Sequence, residues 1–185
     1  MRYSTTQKQA TRRHIIETAA AEFRTHGLDG IGVADLMKKA GLTHGGFYAH
    51  FGSKDALFAE AIAAASAQTQ DSLRKTIESA EPGHEREALI QRYLSPQHRE
   101  RADRGCPIAA LGADIARQGV RTRRSFEAQI EALIDIAAGV SDAPERERRG
   151  EAIRMIATMV GALLMARAVR PSDLADEILD AARRV

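Results

Sequence analysis

Residues 30–57, GIGVADLMKKAGLTHGGFYAHFGSKDAL, decide how this chain folds. Val33, Leu36, Met37 and Ala40 recur at helical spacing, and Gly41 follows as a stop. Glycine takes the left-handed backbone of such a stop without steric cost. Leu42 is an apolar residue just past the stop, and Thr43 is suited to cap a second helix over 44–50. Two helices joined through a tight glycine-containing turn make a helix-turn-helix, whose second helix can enter a DNA major groove. Ser53 then predicts the cap of a third helix, with Asp55 near its positive end.

Outward from this stretch the pattern stays helical. Sustained period-two alternation is missing and aromatics make up 4% of the chain, so the expected class is all-α with about nine helices. Before the motif, a helix over about 6–26 carries Ile15, Ile16, Ala19, Ala20 and Phe23 and stops at Gly27. After it come helices over about 54–79, 84–94, 107–118, 122–138 and 145–169, with a last one opening at Pro171-Ser172-Asp173. Residues 95–104 read as a polar connection. The expected division is an N-terminal module over 1–53 and a helical body over 54–185.

Charge separates the same two parts. The whole chain is +2, but residues 1–54 carry eight basic and four acidic side chains, a net +4 that leaves −2 for the rest. A basic module on a nearly neutral body is expected when one end meets phosphates. The single Cys106 excludes an internal disulfide and suits a reducing cytoplasm. The N-terminus has no apolar segment after its basic residues, so no secretory signal is read there. The apolar run over 155–166 is too short for a bilayer that needs about 20 residues. These features predict a cytoplasmic protein with no membrane partner.

The second helix of the motif is unusual if its role is structural. Gly45 and Gly46 lie in its first turn, where each costs about 1 kcal/mol relative to alanine in a helix interior. Glycine also admits another surface closely. Thr43, His44, Tyr48 and His50 around them are all capable of hydrogen bonds to phosphates or base edges, whereas Phe47 and Phe51 suit the module's core.

Gly30, Val33, Leu36, Ala40-Gly41-Leu42-Thr43, Phe47-Tyr48, His50-Phe51 and Lys54-Asp55-Ala56-Leu57 closely resemble the DNA-binding signature of TetR-type transcriptional regulators. The likeness is dense over about 30 residues. One departure stands out: where that family often has a capping Thr before the first helix of the motif, this chain has Ile31-Gly32. The resemblance implies that Thr43, His44, Gly45, Gly46, Tyr48 and His50 face the groove and backbone, and that Lys54 holds a phosphate. It also implies a palindromic double-stranded operator, a homodimer, and a body over about 60–140 that takes a small-molecule effector. The implied function is a ligand-responsive repressor.

A single short reading helix covers few base pairs, so such modules usually work as dimers. The helix over 145–169 is apolar nearly all round. Ile153, Ile156, Val160, Leu163 and Leu164 form one stripe, and Met155, Met159, Ala162, Ala166 and Val169 another. One side can meet its own body and the other a partner. By resemblance the last two helices pair across the dimer, which adds Leu174 and Ile178. The expected interface is therefore Ile153, Ile156, Met159, Val160, Leu163, Leu164, Leu174 and Ile178.

In the body, Cys106 precedes Pro107 near a helix start, where a positive helix end and Arg101 and Arg104 would favour the thiolate. It is a candidate redox or effector site, set against an inert buried cysteine. Arg117, Arg121, Arg123 and Arg124 read as a solvated face. Enzyme chemistry is not signalled: there is no phosphate loop after a strand, and Cys106 has no evident base partner. His44 and His50 also lack the spacing of a helical metal pair, so neither metal nor cofactor is expected. A helical protein-interaction module is the remaining alternative.

Overall fold

The computed structural model describes residues 5–184, so Arg2 of the basic count and the outermost ends of both expected parts lie outside the described residues. Nine α-helices make up the described chain, with two short 3-10 segments between them. They are α1 (Thr5–His26), α2 (Val33–Lys39), α3 (Lys54–Glu78), α4 (Glu85–Tyr93), α5 (Pro96–Glu100), α6 (Pro107–Ala116), α7 (Val120–Gly139), α8 (Glu145–Ala168) and α9 (Asp173–Ala182). Among the described residues there is no strand.

Two expectations need correction. The segment after the turn, His44–Ala49, is a 3-10 helix and not an α-helix. Six residues carrying two glycines are a short and weak α-former, and the tighter winding still delivers Phe47 to the core. The connection over 95–104 is not irregular: it holds α5 and a 3-10 turn, Ala102–Arg104. Its signals were present in the sequence. The Ser95 hydroxyl accepts from the His98 amide at 3.2 Å, and Pro96 occupies the first turn.

Two apolar cores organise the packing. The N-terminal core joins Ile15, Ala19 and Phe23 of α1 with Leu36 and Met37 of α2, then Phe47, Phe51 and Leu57. Phe23 and Phe58 meet edge to face at 5.1 Å and tie α1 to α3. The second core gathers Leu89, Ile90, Tyr93, Leu133, Ala137, Met155, Met159, Leu163 and Leu179. The division expected at 53/54 marks the start of α3, whose first half (Leu57, Phe58, Ala61, Ile62 and Ala65) lies in the N-terminal core. Leu111, Ile115 and Phe126 from α6 and α7 join that same core. α3, about 38 Å long at 1.5 Å per residue, is thus shared by both cores.

On α8 the inward face is Ala152, Met155, Ile156, Met159, Ala162, Leu163 and Ala166. This corrects part of the expected dimer surface. Ile156, Met159 and Leu163 are 6%, 0% and 0% exposed and fill the subunit's own core, so they are not available to a partner. The stripe read from sequence spanned too wide an arc of a helix with 3.6 residues per turn. Ile153, Leu164 and Leu174 remain exposed, and Val160 and Ile178 are half-buried.

Candidate nucleic-acid interface

The turn that sets the reading segment is built from α2. Gly41 has φ +70 and donates to the Lys38 carbonyl at 3.0 Å, while the Leu42 amide donates to the Met37 carbonyl at 2.8 Å. This paired bonding is a Schellman motif; it satisfies the last carbonyls of α2 and turns the chain sharply. At the other end Gly32 stands at the N-cap with no side-chain hydrogen bond. Ile31 and Leu36 occupy the positions of a hydrophobic staple and lie in one core, so an apolar contact fixes the start that a capping hydroxyl would otherwise hold.

Thr43 sits at the N-cap of His44–Ala49, but its side chain makes no capping bond, contrary to expectation. Phe47 and Phe51 are 1% and 3% exposed and anchor the segment from below. Their burial turns Thr43, His44, Gly45 and Tyr48 outward together. Tyr48 is 67% exposed. Its ring packs edge to face on Phe47 at 5.2 Å and on His44 at 6.1 Å, which presents a pre-oriented phenol to the outside. Gly46 and His50 are half-buried beside this face.

Neither glycine is required by the subunit itself. Both lie outside the left-handed region. A Cβ on Gly45 would meet nothing within 4 Å, and one on Gly46 would make ordinary contacts with Thr43 and Met37 at 3.7 and 3.8 Å. The subunit thus leaves room for a methyl group at both positions.

Ser53 caps α3 as expected, its hydroxyl accepting from the Ala56 amide at 3.1 Å. That fixes Lys54 in the first turn of α3, half-buried. Sequence reasoning missed Arg12. Its guanidinium lies 4.6 Å from the Phe51 ring centre and pairs with Glu60 at 2.6 Å, tying α1, the end of the reading segment and α3 together. His50 has a buried Nδ1 without a hydrogen-bond partner among the described residues. Burial, followed by the charges of Lys8 and Arg12, holds the His50 pKa below its ordinary value.

Residues 15–61 match the family model described as bacterial regulatory proteins, tetR family. Over this N-terminal stretch the chain is similar to the TetR family. It is 42% identical over 52 residues to the HTH-type transcriptional regulator YdgC of Bacillus subtilis (strain 168), a stretch covering 28% of this chain and 27% of that protein. The match thus spans about a quarter of that curated relative. A TetR transcriptional regulator structure from Chloroflexus aurantiacus J-10-FL superposes with a TM-score of 0.82 at 23% identity, over 97% of this chain and 96% of that one. The reduced form of NemR from E. coli gives 0.77 at 20% identity, over 95% and 96%. At these identities the likeness is one of fold, and it extends through the body.

Within the helical body Cys106 is 1% exposed at the N-cap of α6. Of the two readings weighed for it, the structure favours the buried cysteine: burial raises the thiol pKa and outweighs the donors around the sulfur, which are Tyr93 and the amides of Ala109 and Ile108. His98 sits beside it. Its Nε2 accepts from the Cys106 amide at 2.9 Å and its Nδ1 bonds the Tyr93 carbonyl at 2.6 Å, which fixes a neutral ring with the proton on Nδ1. Burial pushes its pKa down to about 4. Between α6 and α7 an open groove is lined by Ile115, Val120, Phe126 and Ile130, with Arg123, Arg124 and Glu127 also along it. Among the described residues no group of His, Cys, Asp or Glu is placed to hold a metal. No described helix is long and apolar enough to cross a membrane.

Proposed function

We propose that the protein is a dimeric, DNA-binding transcriptional regulator of the repressor type, released from its operator by an effector bound in the helical body. The observation that carries this reading is the reading segment. Two glycines with no intramolecular reason lie beside an outward set of Thr43, His44 and Tyr48 held from below by Phe47 and Phe51. The family match over residues 15–61 supports it. In this reading Thr43, His44, Tyr48 and His50 meet the groove and the adjacent phosphates. Gly45 and Gly46 let the backbone approach, and Lys54 holds a phosphate.

The dimer is part of the proposal. Ile153 and Leu164 on α8 and Leu174 on α9 are apolar side chains the subunit leaves exposed, and Val160 and Ile178 are only partly covered by its core. Pairing there gives two reading segments for two half-sites of a palindromic operator. An effector acts by its differential affinity for two arrangements of those segments, and its leverage equals that difference. The working compartment is the cytoplasm, and no catalysis is assigned.

The test is genome-wide recovery of DNA bound to the tagged full-length protein. Enrichment of discrete, inverted-repeat sites supports the reading; a profile equal to that of the Tyr48→Ala protein contradicts it.

A further inference from the structure

A groove of about 440 Å³ runs between the N-terminal half of α1 and the reading segment, apart from the outward face of Tyr48. Its walls are Lys8 and Thr11 of α1 and Thr43, Gly46 and His50 of the reading segment; Met37, Leu42 and Ala49 add the apolar part. Three observations give the groove a chemistry. Among the described residues no carboxylate lines it, while Lys8 contributes an ammonium group. The Nδ1 of His50 is buried without a partner among the described residues. Gly46 narrows its side chain to nothing at a point where the subunit has room for a methyl group.

An occupant must therefore be anionic where it meets Lys8 and His50 and less polar where it meets Met37, Leu42 and Ala49. One repeat of a nucleic-acid backbone has that composition, a phosphate joined to a sugar. We propose that this groove seats a deoxyribose-phosphate unit of the DNA strand bordering the major groove, and that Lys8 and Thr11 of α1 are DNA-contacting residues. The inference rests on the reading segment being the DNA-facing surface. It extends that surface to a helix outside the helix-turn-helix. A backbone seat carries no sequence information, so Lys8 acts on all duplexes alike and fixes the angle at which the reading segment arrives.

The experiment is a fluorescence-anisotropy titration of the full chain against a labelled scrambled duplex of about 30 base pairs across a salt series. Wild type, Lys8→Ala, Thr11→Asp and a control, Lys75→Ala, are compared. Lys75 is exposed near the far end of α3 and removes the same charge away from the groove. Losing one phosphate contact lowers the salt slope by about one unit for Lys8→Ala, with about tenfold weaker binding at low salt. Thr11→Asp weakens binding more, because it places like charge against the phosphate. Lys75→Ala keeps the wild-type slope. A Lys8→Ala slope equal to wild type, with wild type binding normally, overturns the seat and leaves the proposed function standing. Absence of salt-sensitive binding by wild type overturns the proposed function itself.

Discussion

The guanidinium of Arg24 donates to the carbonyl of Gly105 at 3.0 Å, joining the last turn of α1 to the residue just ahead of Cys106 and α6. Arg24 is 6% exposed, and desolvation lowers its pKa to about 10. From the other side Arg167 of α8 donates to the carbonyls of His98 and Arg99 at 2.6 and 3.1 Å. A Cβ on Gly105 would lie 2.5 Å from Arg167 Nη2, so this clasp needs glycine there. The strap over 95–106 is thus gripped by α1 of the N-terminal module and by α8, the helix proposed for dimer contact. Removing the α1 grip leaves the buried Gly105 carbonyl unpaired. Arg24→Ala is expected to lower stability by about 2 kcal/mol in urea unfolding, and Arg24→Met by less because it refills the volume. Wild-type stability in both contradicts a structural role.

Acidification should act through His98. Its folded pKa of about 4 lies below the ordinary value of 6.5. The unfolded chain therefore binds more protons between those values, and stability falls as pH drops through that window and is flat above it. The full loss is about 3 kcal/mol from this residue. Thermal unfolding of wild type and His98→Gln at pH 7 and pH 5, values chosen on either side of the unfolded pKa of about 6.5, checks this. The variant's loss on acidification should be smaller than that of wild type, and equal losses contradict the assignment.

Gly45→Ala and Gly46→Ala should separate folding from binding. Neither site crowds a methyl group, so each variant is expected to keep or raise stability by up to about 1 kcal/mol while weakening DNA binding. Lost stability would place the glycines' purpose inside the subunit instead.

How much of this was legible beforehand follows from range. The stop at Gly41 and the cap at Ser53 are local devices, written within a few residues, and both formed as read. The winding of His44–Ala49 was only half legible: the two glycines that weaken an α-helix are local, but the packing that settles the tighter winding, Phe47 and Phe51 against α1 and α3, is not. The inner face of α8 was likewise blurred. Apolar residues surround that helix, and only packing against α7 and α9 separates Met159 from Leu164. For Cys106 the sequence left two readings open: a helix start favours a lowered thiol pKa, whereas the full burial seen in the structure raises it and matches the inert buried cysteine. Arg12 carried no motif, since its partners Phe51 and Glu60 are distant in sequence.

The buried thiol gives a direct reactivity check. Cys106 in the native protein should be inert to a thiol-titrating disulfide reagent at neutral pH and react fully after denaturation. Stoichiometric native reaction would reopen its role as a sensor.

The dimer face is tested at Leu164, 49% exposed on α8. Leu164→Glu should convert a dimer to a folded monomer in sedimentation velocity, because the charge would be buried unpaired at the interface. A wild-type monomer at micromolar concentration would remove the face from consideration.

The central claim, that residues 43–50 read DNA, is tested most directly by titrating wild type and Tyr48→Ala against a duplex recovered from the genome-wide experiment. Tyr48 is exposed and outside the core, so the variant keeps the fold and the dimer. The account predicts saturable, salt-sensitive binding by wild type and at least about tenfold weaker binding by the variant, the scale of one lost contact of 1–3 kcal/mol. Identical affinity of the two proteins would contradict it.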